Sequence, residues 1–143
     1  METARVVQML GGEKTLGAKI ASASDLIPLV RKGLKYRSLE SLIDGIGVAR
    51  ETVLTAIGLS PRTIARRRGE RRLSSSESDR VYRLARVAAR TGDVLGSAER
   101  AREWLIRPNR ALGQVSPLSL LDTDEGARQV EAVLGRIEHG VWE

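Results

Sequence analysis

The chain has 143 residues, no cysteine, one histidine, four aromatic residues, and 24 Lys plus Arg against 18 Asp plus Glu. This composition excludes disulfides, iron–sulfur clusters, thiolate zinc sites and multi-histidine metal sites. A hydrophobic share of 41% and a charged share of 29% belong to a chain that buries a core rather than to a disordered one.

Helix-period apolar spacing dominates and two-residue alternation is absent, so an all-α fold is expected. Residues 1–24 read as a flexible leader, with a short helix near Thr3 to Leu10. From Asp25 an apolar stripe of Leu26, Ile27, Leu29, Val30 and Leu34 marks a helix ended by Gly33. Ser38 is expected to cap the next helix, with Leu39, Leu42 and Ile43 inward and a stop near Gly45 or Gly47. Arg50 to Ile57 forms a short helix stopped by Gly58. Ser60-Pro61 then supplies an N-cap and a proline at the first helical position for a helix expected to break at Gly69. Leu73 to Ser76 separates a unit at 25–74 from a second helical unit at 75–143. Ser74 with Glu77 has capping-box spacing and opens a long helix carrying Val81, Leu84, Ala85, Val87 and Ala88. Ser97, Ser116-Pro117 and Asp122-Thr123-Asp124 start three further helical segments, the last with Ala127, Val130, Val133, Leu134 and Ile137 inward and a stop at Gly140.

The charge is uneven. Residues 122–143 hold six acids against two arginines, a local −4, which leaves +10 on the other 121 residues. Arg62, Arg66, Arg67, Arg68, Arg71 and Arg72 fall within eleven residues, opposed only by Glu70. Such a block attracts a polyanion.

Its position makes that block specific. With Gly58 at a tight turn, Val53, Ile57, Leu59 and Ile64 can share the small core of a helix-turn-helix. The second helix then turns Ser60, Arg62, Thr63, Arg66 and Arg67 outward, as a major-groove reader requires. Arg62 and Thr63 are expected nearest base edges, and Arg66, Arg68, Arg71 and Arg72 on phosphates. Two features depart from the usual pattern: Leu54 stands where a small residue is usual, and Arg67 where an aliphatic often closes the core. Two half-sites one DNA turn apart imply at least a homodimer.

The C-terminal half carries Trp104-Leu105, Pro108-Asn109 with Ala111-Leu112-Gly113, Pro117-Leu118 with Leu120-Leu121, Gly126-Ala127, and Gly135-Arg136-Ile137-Glu138-His139-Gly140. In this order these pieces resemble the C-terminal domain of the Xre/MbcA/ParS antitoxin family, and the preceding helix-turn-helix resembles that family's Xre-like domain, from about Leu26 to the end. The resemblance implies the antitoxin of a RES-Xre type II toxin–antitoxin system. Such a protein neutralises a RES-domain, NAD-consuming toxin from an adjacent gene, binds operator DNA to repress its own operon, and assembles with toxin into a hetero-oligomer. Toxin contact is then expected at Arg136, Glu138, His139, Val141, Trp142 and Glu143, where an apolar anchor beside carboxylates can lie across a basic nucleotide pocket.

A stand-alone dimeric regulator, whose C-terminal unit only dimerises or senses a ligand, is the alternative. Enzymatic activity is not expected, and neither is a cofactor or metal, because no phosphate-binding glycine loop, nucleophile elbow or ligand cluster occurs. No apolar run approaches the roughly 18 to 20 residues of a membrane span, and no signal-peptide pattern opens the sequence. The expected location is cytoplasmic, on the nucleoid when DNA-bound.

Overall fold

The computed structural model describes residues 2–140. It is all-helical: α1 (Glu2–Met9), α2 (Gly12–Leu16), α3 (Ile27–Lys32), α4 (Tyr36–Ile46), α5 (Arg50–Ala56), α6 (Pro61–Glu70), α7 (Ser75–Leu95), α8 (Ala98–Ile106) and α9 (Asp124–Glu138). Short 3₁₀ turns cover Ala23–Leu26, Arg110–Leu112 and Pro117–Leu120. Among the described residues there is no strand, only isolated bridges joining Lys35 to Arg72 and Asn109 to Val115.

The organising element is α7. Ser74 and Glu77 close a reciprocal capping box at its start, and Gly96 in a left-handed conformation ends it. Its 21 residues make a rod about 30 Å long. Leu84, Ala85, Val87, Ala88 and Ala89 are buried along it, and α1, α3, α4, α8 and α9 all pack against it. The alanines and the buried Gly92 keep parts of its surface low, so neighbouring helices approach closely. One continuous apolar core therefore runs from Val6 to Leu134.

The N-terminal segment is corrected by the fold. The short helix expected near Thr3 to Leu10 is present as α1, but the segment read as a flexible leader is tied down: α2 follows, and Val6, Leu10 and Leu16 are buried. Three apolar residues make a weak stripe by themselves, but they complete the surface of α7 and α4. Ser38 is also not a cap. Helix α4 starts two residues earlier, the Tyr36 amide donates to the Arg71 carbonyl at 3.0 Å, and the buried Ser38 hydroxyl donates to the Leu10 carbonyl at 2.8 Å.

Residues 33–36 and 71–73 lie side by side. Leu73 N–H donates to the Leu34 carbonyl at 2.8 Å, while Leu34 N–H donates to the Ser78 hydroxyl at 2.7 Å. Gly33 is required here, since a Cβ at its φ of 104° would meet the Leu73 carbonyl oxygen. At the other end of the molecule a Cβ on Gly126 would collide with the Leu120 carbonyl oxygen, which explains glycine in the first turn of α9.

The first turns of α7 also grip α6. Arg67 Nε and Nη2 donate to the Glu77 carboxylate at 2.7 and 3.1 Å, and the Glu77 side chain is only 8% exposed. Burial pushes that carboxyl upward, but hydrogen bonds from Arg67 and Ser74 outweigh it and hold it below the usual carboxylate range.

Two outcomes are expected. Leu10→Ala should destabilise the chain by about 2–5 kcal/mol in urea unfolding, as for a buried core leucine, whereas a shift within about 0.5 kcal/mol would return α1 to the periphery. The folded Glu77 pKa lies below its unfolded value, so its stabilisation is complete above the unfolded pKa and is lost as pH falls through the folded one. Glu77→Gln should cost about 1–3 kcal/mol at neutral pH and flatten the acid limb of the stability–pH curve below the ordinary carboxylate range. An acid limb identical to that of the parent chain would contradict the assignment.

Candidate functional site

Helix α6 is set by local chemistry. The Ser60 hydroxyl accepts from Thr63 N–H at 3.1 Å, and Pro61 occupies the first helical position. Gly58 has a φ of 69° in the turn, and Val53, Ile57, Leu59 and Ile64 are buried together beneath it. Leu54, larger than the pattern prefers, is half-buried against the same core. The helix-turn-helix geometry is thus present as the spacing requires.

One clamp on this turn was not evident in the sequence. Arg80, on α7, donates through Nη1 to the carbonyls of Ile57 and Gly58 at 2.9 and 3.2 Å. It satisfies acceptors that the end of α5 leaves open and ties the turn to the long helix. Arg50 braces the same region from the other side, donating to both Glu40 oxygens at 3.0 and 2.8 Å and to the Tyr36 hydroxyl at 3.1 Å. The Arg50 hydrogen bond, with help from Tyr36 and against burial, holds the Glu40 carboxyl below the usual range.

The predicted DNA-facing residues separate into three groups. Ser60, Arg62 and Arg66 are exposed on the outer face, and Thr63, half-exposed beside them, accepts from the Ser60 hydroxyl at 3.1 Å. Arg68, Arg71 and Arg72 gather at the far end of α6. Arg68 lies over the Tyr36 ring at 5.8 Å from its centroid, and Arg72 Nη1 donates to the Gly33 carbonyl at 2.7 Å. Helix α6 does not break at Gly69. It continues to Glu70, and Arg71, with a φ of 64°, takes the left-handed capping position.

Arg67 forms the third group and is a correction. Its side chain is 18% exposed and lies between Glu77 and Glu70, with Nη1 at 2.7 Å from the Glu70 carboxylate. It fills the expected aliphatic position with an ion pair, so its guanidinium is engaged by two carboxylates rather than left free as the other arginines of α6 are. Among the described residues Arg62, Arg66, Arg68, Arg71 and Arg72 have no carboxylate within 4.0 Å. An exposed helix start with unpaired arginines offers hydrogen-bond donors and positive potential to a polyanion.

The C-terminal half has the opposite electrostatics. Asp124 pairs with Arg128 at 2.9 Å, Glu131 with Arg86 at 3.2 Å and Glu138 with Arg90 at 3.2 Å. Two acids of this segment, Glu131 and Glu138, are thus engaged by α7, so Glu138 is an internal partner rather than an unpaired charge, while Asp124 is paired within α9 itself. Arg136 is half-buried, and His139 is exposed where α9 ends. The expected contacts at Val141, Trp142 and Glu143 lie outside the described residues.

The remaining motif residues shape turns. Asn109 Oδ1 accepts from Ala111 N–H at 2.9 Å, and the Ser116 hydroxyl accepts from Ser119 N–H at 3.3 Å. Trp104 is half-buried against the core. Ile106 and Val115, which the helical stripe had not singled out, are the large apolar residues left exposed in this half, at 46% and 40%. Both flank the turn that begins at Pro108, outside any helical stripe.

Two family models match the chain in order. Residues 25–86 match the antitoxin Xre-like helix-turn-helix domain, and residues 91–140 match the antitoxin Xre/MbcA/ParS C-terminal toxin-binding domain. The chain is 32% identical over 130 residues to an antitoxin Xre of Photorhabdus laumondii, covering 90% of this chain and 88% of that one. It is 30% identical over 131 residues to an antitoxin Xre of Yersinia enterocolitica, with 90% and 88% coverage. A Prs ADP-ribosylating antitoxin of Sphingobium is 30% identical over 132 residues, with 85% and 83% coverage. Among solved structures, a chain of the M. tuberculosis MbcT-MbcA toxin-antitoxin complex aligns with a TM-score of 0.57 at 28% identity, over 76% of this chain and 96% of that one. With both family domains matched in order and relatives of 30% identity or more aligned over most of its length, the chain belongs to the Xre/MbcA/ParS family of toxin–antitoxin antitoxins.

Proposed function

We propose that this antitoxin binds and neutralises a RES-domain, NAD-consuming toxin encoded by an adjacent gene, covers that enzyme's nucleotide pocket, and represses its own operon through α6. It acts by binding alone, in the cytoplasm and on the nucleoid when DNA-bound. The observation that carries this reading is the joining of two different surfaces by one helix. The unpaired arginines of α6 stand at the start of α7, and the matched toxin-binding domain is built on its other end.

On the DNA side, Arg62 and Thr63 occupy the exposed first turn, from which arginine can reach guanine O6 and N7. Arg66 and Arg68 follow along the helix toward the backbone. Since one small module supplies limited affinity, the repressing species is a dimer or a toxin-bridged oligomer that presents two such helices. On the toxin side, the internal pairing of Glu131 and Glu138 shifts the weight of recognition. In this reading Ile106 and Val115 offer apolar contact and Arg136, His139 and residues 141–143 add to it, so that recognition does not rest on a free acidic plug.

Co-expression with the adjacent reading frame tests both halves. The antitoxin should co-purify with its neighbour and preserve cellular NAD, and deletion of residues 141–143 should weaken protection. Full protection by the truncated chain would remove the tail from the blocking role, and loss of co-purification in the parent chain would refute the toxin reading. For DNA, Arg62→Ala should cost about 1–3 kcal/mol of discrimination between the upstream duplex and a random one. Equal discrimination by the variant would remove Arg62 from base readout.

A further inference from the structure

A second cationic feature lies at the far end of α6. Lys35 and Arg37, at the start of α4, and Arg68, Arg71 and Arg72 line a recess of about 490 Å³ together with Tyr36. Glu70 is the single acid on its wall, and its carboxylate is held by Arg67 at 2.7 Å. None of the five cations has a carboxylate within 4.0 Å among the described residues. Five like charges brought together beside a single acid that Arg67 already engages repel one another, and an anion relieves that repulsion.

The recess is built by the fold rather than by a run of sequence. Two segments more than thirty residues apart are fastened by the Tyr36 amide to the Arg71 carbonyl at 3.0 Å and by the Leu73 amide to the Leu34 carbonyl at 2.8 Å. Arg72 is anchored on the Gly33 carbonyl, and Arg68 on the Tyr36 ring. Each still has N–H donors to spare, because a guanidinium carries five. Anchoring also lowers the entropy lost when a ligand is gripped. Helix α6 ends on an arginine in the left-handed conformation, although glycine suits that position best and stands two residues earlier.

We propose that this recess takes a backbone phosphate of the operator, with Lys35 and Arg37 as DNA contacts supplied from outside the helix-turn-helix. The proposal rests on the reading of α6 as the DNA-reading helix and extends it. Arg71 lies nine positions beyond Arg62, about 14 Å along a helix, and the major groove is about 12 Å wide. When the first turn of α6 meets base edges, the recess lies at the phosphates bordering the groove. It adds affinity and fixes orientation, and it carries no sequence information.

The test is fluorescence-anisotropy titration over a salt series with two labelled duplexes, one from the DNA upstream of the chain's own gene and one of random sequence. Lys35→Gln with Arg37→Gln should weaken both duplexes alike, by about tenfold at low salt, and make the log K against log salt slope shallower by about one to two. The charge-retaining pair Lys35→Arg with Arg37→Lys should bind as the parent does, and equal thermal midpoints establish that all three chains are folded. Unchanged affinity and slope in the glutamine variant would overturn the proposal, as would a loss confined to the upstream duplex. The outcome that sinks the underlying reading is distinct: a parent chain that binds neither duplex. If Arg62→Ala leaves discrimination intact while the glutamine variant shows its uniform loss, base readout by Arg62 fails and the phosphate recess stands.

Discussion

The arrangement depends on α7 remaining one unbroken helix. Its first turns hold the helix-turn-helix through three separate bonds: Glu77 to Arg67 of α6, Ser78 to the Leu34 amide, and Arg80 to the turn carbonyls of Ile57 and Gly58. Its later turns hold α9 through Arg86 to Glu131 and Arg90 to Glu138. Between them lies a stripe of buried alanines, valines and leucines that leaves no hinge. Each polar bond contributes modestly, and together with the shared core they tie α6 and α9 to the same helix.

The same bonds sort the charges. Arginines that face α9 are consumed by carboxylates, whereas those that face away from the body on α6 are not. A net charge of +6 therefore understates the asymmetry: Glu131 and Glu138 cancel Arg86 and Arg90 of α7, and cations without a carboxylate partner gather around α6 and the start of α4. Long-range attraction of a polyanion follows from where charge is left uncompensated rather than from its total. Ile106 and Val115 are the large apolar side chains left exposed in the C-terminal half among the described residues.

Local chemistry made much of this legible in advance. The caps at Ser60, Ser74, Ser97, Ser116 and Thr123 act over three residues, so their spacing reports them directly. The core positions of the helix-turn-helix and of α9 recur at helical period, and both were readable for the same reason. What escaped the sequence was non-local. Ser38 turns inward because an amide at Tyr36 finds its acceptor thirty-five positions away at Arg71, and α1 is held by a helix that begins at residue 75. Arg67 looked like another exposed cation because its partner, Glu77, sits in a different helix. Glu131 and Glu138 looked free because their arginines lie 45 and 48 residues upstream. The recess at Lys35 and Arg37 required a backbone pairing that no periodicity announces.

The rigidity of the α6–α7–α9 unit is open to one direct measurement. The native chain has no cysteine, so nitroxide labels on Ala65→Cys in α6 and Gln129→Cys in α9, both exposed, report a single inter-label distance by double electron–electron resonance. A narrow, single-peaked distribution is the predicted result. A broad or two-peaked distribution would mean that α7 bends or that its clamps release, and would contradict the claim that one helix binds the two surfaces into one body.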